Sequence, residues 1–148
     1  MQFNVIEQNG RNSVEKFNAE LIEGFYEEAT TKVRGDLVAK DFAGRAPGVT
    51  FDQDSFVKSL EQFTGAFGDG RYVNEQTIVE RDKVVTIGTF QGTHTGTFQG
   101  IPPTGKKVNV MVVHVDRVRD GKIVEHLRIS DTGSILRQLS PSLMPKIE

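Results

Sequence analysis

The sequence of 148 residues contains no cysteine. That excludes a disulfide framework, a thiolate zinc site and a thiol nucleophile; it fits a reducing compartment, so a cytoplasmic location is expected. There is no basic excess: 18 Lys and Arg stand against 20 Asp and Glu, for a net charge of -2. That balance argues against a nucleic-acid partner. No apolar run approaches the roughly 18 residues needed to cross a bilayer, so no membrane partner is expected. The opening residues, MQFNVIEQNGRN, lack a basic segment followed by an apolar one and do not read as a secretory signal. Walker, GxGxxG and GxSxG patterns are all missing, which leaves no signature of a phosphate cradle, a dinucleotide fold or a nucleophile elbow. Internal repeats and low-complexity tracts are missing too. The length fits one domain over 1–148, with irregular tails at 1–11 and 140–148.

What is present divides in two. From Asn12 the pattern is helical: Val14, Phe17, Leu21, Ile22 and Phe25 share one stripe, and Asn12 with Glu15 resembles a capping box. This helix is expected to reach about Thr30, followed by a short helical piece over Thr31 to Val38. AGRAPGV, Ala43 to Val49, reads as a loop from its Gly and Pro content. A third helix, capped by Thr50 or Asp52, carries Phe56, Leu60, Phe63 and Phe67 and stops at Gly68-Asp69-Gly70. Phe17, Phe25, Phe56, Phe63 and Phe67 are expected to bury, as core or as the wall of an apolar pocket. Four runs rich in Val, Ile, Thr and Phe follow: Tyr72 to Arg81, Lys83 to Thr95, Lys107 to Val118 and Ile123 to Ser130. Helices first and antiparallel strands after make the class α+β.

The last hairpin carries the polar groups of interest. With a three-residue loop, Arg119-Asp120-Gly121, His114 faces His126, Asp116 faces Val124 and Val112 faces Arg128. One face then holds Val110, Val112, His114, Asp116, Val124, His126, Arg128 and Ser130. The other holds Met111, Val113, Val115, Ile123, Leu127 and Ile129, and needs a cover. A two-residue loop would shift the pairing by one and separate the histidines. Mixed apolar walls with a few convergent polar groups describe a ligand pocket. A solvated His/Arg surface over a Leu/Ile core fits the same alternation.

GTHTGTFQGIPPTGKKV (92 to 108) and VRDGKIVEHLRISDTGSILRQL (118 to 139), with FYEEA (25 to 29) and KDF (40 to 42) upstream, resemble the SnoaL-like polyketide cyclases and ester cyclases of the nuclear transport factor 2-like superfamily. The resemblance implies a cone-shaped α+β barrel, in which a curved antiparallel sheet wraps a long N-terminal helix with two further helices around an apolar cavity. It also implies a homodimer made through the sheet, and an intramolecular aldol closure that needs no metal and no cofactor. In that chemistry a carboxylate on the last strand is general acid/base, with a histidine on the strand before it. The histidine position matches His114. The carboxylate position matches Arg128, which stays protonated and cannot abstract a proton at neutral pH. The word's usual tryptophan is Leu127, and an Arg-Trp pair common on an earlier strand is Ile87-Gly88 here.

The candidates are therefore His114 and His126 as general bases and Arg128 as stabiliser of an enolate or carboxylate. Phe17, Phe63, Phe67, Val110, Val112 and Ser130 are the expected pocket residues. Asp116 could orient a histidine, but its place near the turn favours an exposed carboxylate paired with a surface cation. Asp41 and Glu75 are the other carboxylates considered for the cavity. His94 is expected to hold its loop to GIPPTGK. The expected ligand is a small hydrophobic, oxygenated or anionic organic molecule. Two outcomes stay open: a cofactor-independent cyclase or isomerase, and a non-catalytic ligand-binding or dimerisation module.

Overall fold

The computed structural model describes residues 10–140. Most of the two expected tails, 1–9 and 141–148, lies outside these. Helix α1 runs Ser13–Glu28, and its capping box is complete: Asn12 Oδ1 accepts from the Glu15 amide at 2.8 Å, and Glu15 Oε1 accepts from the Asn12 amide at 3.0 Å. The second Glu15 oxygen accepts from the Arg81 amide at 2.8 Å, tying the helix start to a strand turn. These amide donors hold the Glu15 carboxyl below its ordinary range. The helix stops short of Thr30 because Thr30 and Thr31 turn their hydroxyls onto the Glu27 and Glu28 carbonyls. The Thr64 hydroxyl takes the freed Ala29 carbonyl at 2.8 Å.

The expected helical piece over 31–38 is only a single 3-10 turn, Gly35–Leu37. Val38 then opens β1, Val38–Ala46, and β2 is Val49–Phe51. The stretch read as a loop is thus mostly a hairpin. Its glycine and proline belong to the strand and its turn: Pro47-Gly48, with Gly48 at φ 76°, has the pattern of a type II turn. Helix α2, Gln53–Ala66, is capped by Asp52, whose side chain accepts from the Ser55 amide at 2.8 Å. Strands β3 (Arg71–Glu80), β4 (Lys83–Thr93), β5 (Lys107–Arg119) and β6 (Lys122–Ser130) follow, then helix α3, Thr132–Leu139.

The strands form one open sheet of order β2-β1-β6-β5-β4-β3, in which only the β1/β6 pair is parallel. The architecture is the expected α+β cone, with a mixed rather than wholly antiparallel sheet. Helix α1 packs on β3 and β4, α2 on β1, and α3 on β5. The concave side buries Ile22, Phe25, Phe56, Phe67, Ile123 and Ile135. Phe56 sits at the centre, its ring 4.7 Å from Phe42 and 6.1 Å from Phe25; truncating it to Ala is worth about 3–5 kcal/mol. Beyond the end of β6, the Gln138 side chain of α3 pairs with both backbone groups of Asn109, at 2.9 and 3.1 Å, and so blunts an open stretch of β5.

The last hairpin corrects the expected register. Its loop has two residues, Asp120 at φ 52° and Gly121 at φ 72°, closing Arg119 on Lys122 as a type I′ turn. Alone, that would flip the faces. A bulge at Val124 adds a second one-residue shift, so pairing continues Arg117↔Glu125, Asp116↔His126 and His114↔Arg128. Two single shifts restore the parity. His114, Asp116, His126 and Arg128 keep one face, but His114 faces Arg128, and Asp116 faces His126. Ile123, ahead of the bulge, moves from the outer to the inner face, where it is fully buried. On the convex face Met111 is 64% and Ile129 50% exposed; no element among the described residues covers them.

Candidate functional site

Between the helices and the concave sheet lies a cavity of about 70 Å³. Its apolar wall includes Ala29, Leu60, Phe63, Phe90, Val110 and Val112, and its polar groups come from Tyr26, Thr30, Tyr72, His114, Arg128 and Ser130. A cleft of about 710 Å³ lies outside it and shares Phe63, Arg128 and Ser130 with it. Arg128 therefore stands where the two spaces meet. Gly88 makes room for the Tyr72 wall: a Cβ there would come within 2.5 Å of the Tyr72 ring and the Val73 carbonyl oxygen. The departure at position 88 is thus coupled to a tyrosine in the cavity.

Beneath the cavity is a closed polar network. The Tyr26 hydroxyl lies 3.0 and 2.9 Å from the two Asp116 oxygens, and His126 Nδ1 lies 2.7 Å from Asp116 Oδ1. Tyr26 and His126 Nδ1 are also 2.9 Å apart. Two donors, the phenol and Nδ1-H, converge on a carboxylate, which satisfies a charge that burial alone would make costly. Burial first, and then the Asp116 charge, push the Tyr26 phenol well above its ordinary pKa, so it remains a hydroxyl.

The Tyr26 ring stacks on His114 at 3.6 Å with planes 5° apart. His114 is buried, and its Nδ1 has no partner among the described residues. Burial first, then the neighbouring His126 and Arg128 charges, hold its pKa well below the ordinary histidine value. The imidazole is neutral at physiological pH. Arg128 makes one long contact, 3.5 Å to Ser59 Oγ, and its guanidinium carbon lies 5.2 Å from the Phe51 ring centre. Desolvation lowers its pKa, which marks a cation short of compensation; among the described residues none of its contacts is an ion pair.

The expected residues separate accordingly. His114, Arg128, Phe63, Val110, Val112 and Ser130 line the cavity. His126 does not: it is buried behind Tyr26, against Phe56 at 4.5 Å. Phe17 is 54% exposed, near the Gly121 turn, because it stands on the outer edge of the α1 stripe. Phe67 is core, packed on Phe63, Phe90 and Phe98. Asp116 is 1% exposed, not a surface carboxylate. Asp41 pairs with Arg119 at 2.8 Å, and Glu75 accepts from the Thr89 hydroxyl; both are exposed and away from the cavity. His94 does hold its loop: its Nδ1 is 2.9 Å from Thr104 Oγ1 and accepts the Thr104 amide at 3.2 Å. Sequence reasoning missed Tyr26. Its signal lay in the helical spacing Ile22, Phe25, Tyr26, Ala29, which puts the phenol on the buried face.

An open α+β cone around an apolar pocket with a few inward polar groups is a fold of the nuclear transport factor 2-like class. The chain belongs to the SnoaL-like polyketide cyclase family, whose model matches residues 16–139. Nogalonic acid methyl ester cyclase from Streptomyces nogalater is 30% identical over 93 residues, 62% of this chain and 69% of that protein. The crystal structure of a protein from Jannaschia sp. CCS1, described as a candidate SnoaL-like polyketide cyclase, matches with a TM-score of 0.79 at 22% identity, over 91% of this chain and 98% of that one. IdmH from Streptomyces antibioticus, described as a candidate polyketide cyclase, matches with a TM-score of 0.71 at 29% identity, over 82% of this chain and 97% of its own.

Proposed function

We propose that this chain binds a small, mainly apolar organic molecule bearing a carboxylate or an enolisable carbonyl, with the oxygen on Arg128 and apolar substituents in the cavity. The observation that carries this reading is the Arg128 guanidinium: desolvated, at the meeting of cavity and cleft, and without an ion pair among the described residues. An anion there offsets a charge that the nearby Asp116 compensates only in part. In an aldol-type closure Arg128 stabilises the enolate oxygen, and neutral His114 takes up and returns the proton. An anion on Arg128 also weakens the field that depresses His114, so ligand binding raises its basicity. No metal or cofactor is invoked, because the substrate's own carbonyls acidify the proton. His126 then acts only through Asp116 and Tyr26.

A second reading, a non-catalytic ligand-binding module, is favoured by one observation. Asp116, the buried carboxylate, is taken up by Tyr26 and His126 and does not line the cavity. Incubation with nogalonic acid methyl ester, followed by chromatography for the ring-closed isomer, separates the two. The catalytic reading expects turnover that is lost in Arg128→Leu and falls at least tenfold in His114→Phe. Saturable binding without turnover supports the module, and the absence of both binding and turnover refutes the Arg128 reading.

The same proposal includes a homodimer through the convex sheet, whose Met111, Ile129 and Ile78 are half or more exposed. Sedimentation tests it: wild type runs as a dimer and Met111→Glu as a monomer, whereas a monomeric wild type refutes it. A cytoplasmic site of action is proposed from the cysteine-free chain, and cell fractionation tests that.

A further inference from the structure

Building on the reading of His114 as the proton acceptor, we propose that Thr86 is a positioning residue: its hydroxyl accepts the His114 Nδ1-H, which leaves Nε2 bare and turned to the cavity. Thr86 stands on the inner face of β4, in the alternating row Val84, Thr86, Gly88, Phe90. It is 1% exposed, beside a fully buried Val84. Valine has the same shape and no polar atom, so a hydroxyl in that row costs stability unless it meets a partner. Its Oγ1 has none among the described residues, and neither has His114 Nδ1. The two residues are direct partners across the β4/β5 ladder, which sets their Cβ atoms about 5 Å apart on one face. Two orphaned buried polar groups thus stand side by side, within reach of a rotation of the threonine side chain. Tyr26 covers the imidazole face at 3.6 Å, so it offers neither ring nitrogen an in-plane partner.

A hydroxyl can donate or accept, so the other ring nitrogen decides the direction. Nε2 is not enclosed as Nδ1 is, and His114 lines the cavity, so Nε2 is the nitrogen turned to it. On that side His114 faces Arg128, its partner on β6. A guanidinium carries only donors and meets a bare Nε2 better than an Nε2-H. The proton of the neutral ring then lies on Nδ1, where Thr86 accepts it. The Thr86 hydrogen is left for the oxygen of Tyr72, whose phenol lies over Gly88, the next inner residue of β4. Burial raises the Tyr72 pKa, and the nearby Thr86 hydroxyl opposes the rise. The Tyr72 hydroxyl donates in turn to Asn74 Oδ1 at 3.5 Å, so every donor in the row runs away from Nε2.

The test is the neutral tautomer of His114, read at pH 7 without ligand from long-range proton–nitrogen correlation spectra, in which protonated and bare ring nitrogens resonate far apart. The resonances lost in His114→Gln identify the residue. The wild type is expected to show a protonated Nδ1 and a bare Nε2. Thr86→Val keeps the shape, removes the acceptor and shifts the ratio of tautomers about fivefold toward Nε2-H, the worth of one hydrogen bond. Thr86→Ser keeps the hydroxyl and the wild-type tautomer. In turnover of nogalonic acid methyl ester, Thr86→Val lowers kcat about fivefold at constant KM, and Thr86→Ser does not. A wild type with a protonated Nε2 overturns the inference without recourse to any variant. A Thr86→Val ratio equal to that of wild type, or matched by Thr86→Ser, overturns it too, as does an unchanged kcat in Thr86→Val. The spectra need no ligand, so the Arg128 reading, tested by binding, stands or falls on its own.

Discussion

Tyr26→Phe removes one oxygen from the interior and leaves a ring that still stacks on His114. What it takes away is the phenol donor to Asp116, held at 2.9 and 3.0 Å from the two carboxylate oxygens. The buried carboxylate then keeps only the His126 donor at 2.7 Å. A hydrogen bond to a buried charge contributes about 1.5–3 kcal/mol. For a chain of this size each kcal/mol is worth about 2–4 °C in Tm, so a fall of about 4–10 °C is expected. Urea unfolding at pH 7 gives the free energy directly. A double-mutant cycle with Asp116→Asn isolates the pair, with an expected coupling of about 1–2 kcal/mol. A loss below about 0.5 kcal/mol with no coupling refutes the network as described.

Two further outcomes follow from the same geometry. His114 has its folded pKa pushed down, so below the ordinary value the unfolded chain binds the proton that the folded chain refuses. Stability must fall as pH drops below about 6.5, by about 1 kcal/mol between pH 6.5 and 5.5 from this group alone. The difference between wild type and His114→Gln in urea unfolding across that range measures it; parallel curves contradict it. Gly88→Ala sets a methyl against the Tyr72 ring and the Val73 carbonyl. A loss of about 1–3 kcal/mol is expected, with altered Tyr72 fluorescence, and a neutral change shows that the wall is looser than drawn.

What the sequence disclosed depended on how local each cause was. The α1 capping box rests on Asn12 and Glu15, three residues apart, and was legible. So was the α2 stripe with its Asp52 cap. The 43–49 segment misled because glycine and proline mark both loops and hairpin turns, and only pairing with β2 and β6 makes it a strand. The expectation that His114 and Arg128 share a face rested on a three-residue loop that the structure does not have; the parity holds only because two shifts cancel, and their direct pairing was not legible. It depends on a bulge at Val124 that no residue type announces. Asp116 was misjudged because proximity to a turn suggests exposure, whereas its partner Tyr26 lies 90 residues away. Arg128 was legible as a departure from the family's pattern. Its lack of an ion pair required the positions of every described carboxylate.

The account turns on Arg128 being a cation held for a ligand at a cost to the fold. Its folded pKa is lowered chiefly by desolvation, so at neutral pH the guanidinium stays charged but its charge costs the folded state stability. Arg128→Met keeps the packing and removes the charge. Urea unfolding of the two proteins without ligand, at pH 7, is the direct measurement. The variant is predicted to be more stable by about 1–2 kcal/mol, while its affinity for 2-(2-naphthyl)acetate falls at least tenfold. A variant less stable by a similar amount contradicts the account, and makes Arg128 the structural counter-charge of Asp116.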